Sequence, residues 1–141
     1  MNVENDGFLN HYILQTIGIS EIRNDGLDLP EIQMKCLSRA EISAKKKLIS
    51  ILIHTNQSIR SKSLIYSTEL DFNFQYPINF STEELVYYSM FFESILSDSN
   101  IVYQEITKNQ CKVILRIEQK DLIKRIQQVN IKKKFLINIQ D

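Results

Sequence analysis

The chain has 141 residues, 17 basic and 17 acidic for a formal net charge of zero, and 43% hydrophobic residues. That length suits one domain with a real core, and the zero balance excludes a large field that would steer the chain onto nucleic acid. No apolar run approaches the roughly 20 residues of a membrane-spanning helix, the N-terminus lacks the layout of a signal peptide, and Cys36 and Cys111, far apart and in no metal-like spacing, read as reduced thiols of a cytoplasmic protein.

Residues Met1 to Gly7 are polar and read as a frayed end. From Phe8 to Ile19, the residues Leu9, Tyr12, Ile13, Thr16 and Ile17 recur at spacings of three and four, the stripe of a short amphipathic helix, and Gly18 sits where such a helix stops. Asn24-Asp25-Gly26 is a turn signal, with Pro30 shortly after it. Residues 1–26 therefore read as an arm hinged to a body of residues 27–141. A helix of about 11 residues is marginal alone in water, so the arm must pack on its own domain or on another protein.

Leu29 to Ala44 is ambiguous: Ile32, Cys36 and Ala40 make a helical stripe, while Ala40 to Ala44 equally leads into a strand. The stretch Lys45 to Thr55 carries the fold expectation. Ile49, Ile51 and Ile53 share one face at strand spacing and Leu48, Ser50 and Leu52 the other, which suits a strand covered on both sides at the centre of an α/β sheet. The rival helix is disfavoured by the β-branched residues. Gln57 to Lys62 reads as a loop or first helical turn, Leu64 to Leu70 as a short helix, and Phe72 to Ile78 as a strand limited by Pro77.

Ser81-Thr82-Glu83-Glu84 has the form of a capping box. Leu85 to Leu96 is apolar almost all round and reads as a helix for the core or for a partner. Ile101 to Thr107 and Lys112 to Glu118 read as a hairpin with one wetter face. Gln119 to Val129 follows as a helix with Leu122, Ile123, Ile126 and Val129 inward and Asp121 paired to Arg125 outside, and Phe135, Ile137 and Ile139 as a last strand. The expected fold class is a single-domain α/β protein with a central, mostly parallel or mixed sheet flanked by helices and an N-terminal amphipathic arm.

Reactive chemistry is sparse. All three glycines lie in the first 26 residues, so none follows the expected central strand to cradle a phosphate. His54, at the expected strand end, is the one lone catalytic candidate, and a merely hydrogen-bonded histidine is the commoner outcome there. No second histidine or cysteine lies near it to suggest a metal, and no nucleophile elbow with flanking glycines occurs. The aromatic residues between Phe72 and Phe92 are not interleaved with Arg or Lys as a single-strand nucleic-acid platform would be. No catalytic site, cofactor or metal is expected.

The run Tyr12-Ile13-Leu14-Gln15-Thr16-Ile17-Gly18-Ile19-Ser20 resembles the opening of the psi subunit of the bacterial DNA polymerase III holoenzyme. That family opens with an aromatic residue, Leu-Gln, two residues, Gly-Ile and a small hydroxyl residue, with a tryptophan soon after. Leu14, Gln15, Gly18 and Ile19 match in place, Ile17 and Ser20 in kind, and Ile22 stands where the tryptophan falls. Beyond the arm, the expected central strand falls where the family has its first sheet strand, and Leu64 to Leu70, Phe74 to Ile78, Ser81 to Leu85, and Leu122 to Val129 with Lys124-Arg125 and Gln127-Gln128 resemble later family elements in the same order. The stretch between Tyr88 and Lys120 departs from it.

The resemblance implies a non-catalytic subunit of a DNA-directed DNA polymerase, a nucleotidyltransferase complex active in DNA replication. The arm, through Tyr12, Leu14, Gln15, Ile17, Gly18, Ile19 and Ile22, would bind the clamp-loader ATPase subunits. The α/β body would bind the chi subunit, and through it single-stranded-DNA-binding protein, with no direct contact to nucleic acid or membrane. The alternatives are a small cytosolic chaperone or adaptor using the helix Leu85 to Leu96 as its contact surface, and a small enzyme using His54.

Overall fold

Among the described residues, two hairpins supply the sheet. The computed structural model describes residues 5–24, 26–62 and 80–131, with backbone alone for 58–62. Strands β1 (Gly7–Asn10) and β2 (Ile13–Glu21) form the first hairpin, and β3 (Ser99–Ile106) and β4 (Gln110–Glu118) the second. They assemble in the order β1-β2-β4-β3 with every pair antiparallel. Between the hairpins run α1 (Leu29–Lys62), α2 (Thr82–Ser89), a 3-10 turn at Met90–Phe92 and α3 (Glu93–Leu96), and α4 (Leu122–Gln128) follows β4. The expected mostly parallel or mixed sheet is thereby corrected to an antiparallel one in a small single domain. Parallel strands need a crossover between them, and the stretch expected to supply the central strand is helical.

That stretch, Lys45 to Thr55, lies in the second half of α1. The deciding pattern is longer than the isoleucine run. Ile32, Cys36, Ala40, Ala44, Leu48, Leu52 and Thr55 recur every three or four residues, and all are buried, a helical stripe through seven turns. The residues from Leu48 to Ile53 are buried all round because the sheet covers one side of α1 and α2 and α4 pack on others. A helix wrapped on every side has the same apolar run as a doubly covered strand, so periodicity alone does not separate them. Asp28 starts the helix by accepting the Glu31 N–H at 3.2 Å, and Pro30 occupies its first turn, where a missing N–H costs nothing.

The N-terminal segment is corrected as well. The short helix expected from Phe8 to Ile19 is instead strands β1 and β2 with the turn between them, and β2 pairs along its whole length with β4, from Ile13 opposite Glu118 to Glu21 opposite Gln110. The turn signal after it holds: Gly26 has φ +78° and donates its N–H to Asn24 Oδ1 at 3.4 Å. The expected hairpin holds as β3 and β4, and the helix after it as α4. The capping box is formed, with Ser81 Oγ accepting the Glu84 N–H at 3.1 Å and Glu84 Oε1 accepting the Ser81 N–H at 2.9 Å. Leu85 to Leu96 is not one helix but α2, the 3-10 turn and α3. Arg125 pairs with Asp98 at 3.5 Å and donates to the Ser94 carbonyl at 3.1 Å, instead of pairing with Asp121. The expected helix Leu64 to Leu70, strand Phe72 to Ile78 and last strand through Phe135, Ile137 and Ile139 lie outside the described residues.

Two cores follow from this arrangement. The larger joins Leu48, Ile51 and Leu52 of α1 to Leu14 and Ile117 of the sheet and to Tyr88, Phe92, Ile95, Leu122 and Ile126 of the later helices. The smaller lies between the first half of α1 and the sheet: Cys36, Ala40 and Ala44 against Cys111, Val113 and Leu115. Here Cys36 and Cys111, expected as separate thiols, are joined as a disulfide with Cα atoms 5.9 Å apart across a sequence separation of 75. Their spacing gave no sign of this because only the docking of α1 on β4 brings them together. Among the described residues no helix is long and apolar enough to cross a membrane, α1 included.

Candidate functional site

His54 is part of α1, half-buried beside Phe80 with ring centroids 5.5 Å apart. It is not at a strand end, so the geometric reason for a ligand there is gone. Among the described residues no group of three or more His, Cys, Asp and Glu side chains could hold a metal ion. Burial raises the pKa of the Tyr88 hydroxyl above its ordinary value, with the charges of Glu84 and Tyr87 adding to it; the residue sits in the larger core.

The seven residues singled out in the N-terminal segment divide by strand alternation. Leu14 and Gly18 face α1, with Thr16 between them donating its hydroxyl to the Ala44 carbonyl at 2.8 Å. Gly18 lies so close under the helix that a Cβ there would meet the Ala40 carbonyl oxygen at 1.8 Å. On the other face Gln15 is buried, and its Oε1 accepts from Arg116 Nε at 3.2 Å and Nη2 at 2.8 Å. Ile17 is buried too, while Ile22 is half-buried against the smaller core. The two with open side chains are Ile19, 50% exposed, and Tyr12 in the β1–β2 turn, 52% exposed.

The register extends the outer face of β2 across the sheet. Ile17, Ile114 and Tyr103 lie in one row and Ile19, Lys112 and Glu105 in the next. Lys112 Nζ sits 5.7 Å from the centre of the Tyr103 ring, within cation–π range, and the Tyr103 hydroxyl donates to Glu105 Oε2 at 2.6 Å. Ile17 and Ile114 are themselves buried, so the open part of these rows is Ile19 and Tyr103 with a fixed cation and carboxylate beside them.

The strand β3 is expected from the sequence, but its exposed position at the rim of the sheet is not. Among the described residues it is an edge strand, and Ile101, Val102, Tyr103 and Ile106 are all exposed. Its register slips between Ile101 and Tyr103, leaving Val102 as a bulge. Edge strands are usually blunted by lysine, proline or bulges; this one has the bulge but neither residue. The signal was available in β4, where Ile114 interrupts the alternation of Lys112, Arg116 and Glu118 and marks a strand buried on both faces. A central β4 puts β3 at the rim. No protein-family model matches the chain, and no match is found among curated proteins.

Proposed function

We propose that the chain is a non-catalytic accessory subunit of the bacterial replicative DNA polymerase III holoenzyme, working in the cytoplasm as a bridge between the clamp loader and the chi subunit. The observation that carries this reading is the run Tyr12 to Ser20, with its aromatic residue, Leu-Gln, Gly-Ile and hydroxyl residue in the order of the psi opening. In this structure the run is a paired strand, so the contact belongs to the open side chains of a folded surface, Tyr12 and Ile19, and not to an arm that folds on binding. Leu14, Gln15 and Gly18 act indirectly, by holding that surface in place. A bridge also needs a second face, and the exposed apolar β3 edge is available for it.

The test is surface-binding of the purified full chain to clamp-loader ATPase subunits. Tyr12→Ala combined with Ile19→Asp is expected to weaken binding at least tenfold while the circular dichroism spectrum stays the same, since few interface residues dominate affinity and tyrosine is prominent among them. Unchanged affinity in that variant, or no binding by the wild-type chain, overturns the proposal. The β3 edge favours a second reading, an adaptor that covers a partner's apolar strand. A chain that binds extended apolar peptides but neither clamp-loader nor chi subunits supports that reading instead.

A further inference from the structure

We infer that the groove between α1 and the α2–α3 segment is a docking site for an amphipathic helix of another protein, one that carries carboxylates along the flank facing α1. The groove holds about 700 Å³. Its α1 wall presents Ile42, Lys45, Lys46 and Ile49, spaced i, i+3, i+4, i+7 and therefore one helical face. The opposite wall runs from Thr82 to Ser97 and is led by Val86 and Met90, four residues apart, with Leu85 beside them. Ile49 and Leu85 are buried at the floor, whereas Ile42, Val86 and Met90 are 54%, 62% and 67% exposed. Three large apolar side chains open along one trough exceed the scattered exposure of an ordinary surface.

Shape and charge together name the occupant. The α1 wall from Ile42 to Ile49 is two helical turns, about 12 Å at 1.5 Å per residue, and helices seated in such grooves anchor apolar residues over the same two-turn span, at i, i+3, i+4 and i+7. Lys45 and Lys46 stand on one wall with no ion-pair partner among the described residues, whereas the adjacent Lys47 is tied to Asp6 at 3.0 Å. Arg39 and Lys46 continue the basic wall into a smaller adjoining cavity of about 300 Å³. On the far wall Glu93 is the charged residue. A helix with acidic residues on its α1 side would pair with the lysines and keep its carboxylates away from Glu93, which fixes its orientation. The inference is independent of the clamp-loader reading.

The probe is a fluorescein-labelled 16-residue synthetic amphipathic helix with leucines at i, i+3, i+4 and i+7 and glutamates on one flank, compared by anisotropy with the same peptide bearing lysines in place of glutamates. The full chain is expected to bind the acidic peptide at least tenfold more tightly at low salt. Lys45→Glu with Lys46→Glu should reverse the preference, and Met90→Asp should weaken both peptides with the thermal midpoint of the chain unchanged. Equal binding of the two peptides, or a preference untouched by the double lysine variant, overturns the inference. So does displacement of the acidic peptide by oleate at lower concentration than the peptide itself requires, which would assign the groove to an acyl chain.

Discussion

Replacing Gly18 by alanine tests the architecture at its tightest point. The added methyl would sit 1.8 Å from the Ala40 carbonyl oxygen and 2.6 Å from the Ala44 nitrogen. Both obstacles are helix backbone, so no side-chain rotation relieves them. Ordinary contact begins at 3.4 Å, so α1 and β2 must part locally by about 1.6 Å. Overpacking of a close-packed interface costs about 1–3 kcal/mol. The retreat also stretches the 2.8 Å bond from Thr16 to the Ala44 carbonyl and the 2.7 Å bond from Lys47 Nζ to the Ile17 carbonyl, each worth about 1 kcal/mol net. The expected loss is about 3–5 kcal/mol. With a urea m-value of about 2 kcal/mol/M, the unfolding midpoint followed by circular dichroism falls by about 1.5–2.5 M. A variant within 0.5 kcal/mol of wild type, on the scale of an ordinary surface change, would refute the packing of β2 under α1. A gain approaching 1 kcal/mol, as alanine gives over glycine in a solvated helix, would restore the helical arm.

Three further perturbations follow from named contacts. Cys36→Ala with Cys111→Ala is expected to lower oxidised-state stability by about 4.5 kcal/mol from loop entropy across 75 residues, and unfolding in dithiothreitol should bring wild type toward the variant; identical stability of oxidised wild type and variant would contradict the bridge. Asn56 Nδ2 donates to the Ile126 and Val129 carbonyls at 2.8 and 2.9 Å, tying α1 to the end of α4. Asn56→Ala should cost about 2 kcal/mol, and Asn56→Asp more, because it sets a carboxylate against two carbonyl oxygens; the check is the shift in thermal midpoint. Tyr88 has its hydroxyl pKa raised above 10.0 by burial, then by Glu84 and Tyr87. The folded state thus holds the proton more firmly than the unfolded state, and the contribution is intact below pH 10 and lost as pH climbs through the raised value. Tyr88→Phe should flatten the alkaline fall in stability relative to wild type.

Local chemistry was legible in the sequence and long-range pairing was not. The capping box at Ser81 and Glu84, the left-handed Gly26, the β3–β4 hairpin and α4 each depend on residues close in sequence, the most distant pair being Ser99 and Ile117, and each has its own local signature. The two large misreadings share one cause. Ile49, Ile51 and Ile53 fit a strand, and Leu9, Tyr12, Ile13 and Thr16 fit a helix, because each window was judged without its neighbours. Extending the first window back to Ile32 shows the seven-turn stripe of α1. For the second, Ile13, Ile17 and Ile19 also fit the odd positions of a strand, and the small Gly18 marks where a helix crosses it. The disulfide, the Gln15–Arg116 contact and the exposed edge of β3 join or leave apart residues 75 or more positions distant, or turn on strand order, and no local pattern encodes those. Of the seven residues singled out in the N-terminal segment, Tyr12 and Ile19 are open, Ile22 is half-buried, and Leu14, Gln15, Ile17 and Gly18 are consumed by the fold itself, which depends on the docking of α1 and not on any local pattern.

The bridging role stands or falls on one mixture. Size-exclusion chromatography with light scattering should show the full chain, purified clamp-loader ATPase subunits and the chi subunit eluting as one complex, with ATPase subunits and chi separating when the chain is left out. Elution of the chain apart from both partners would contradict the account.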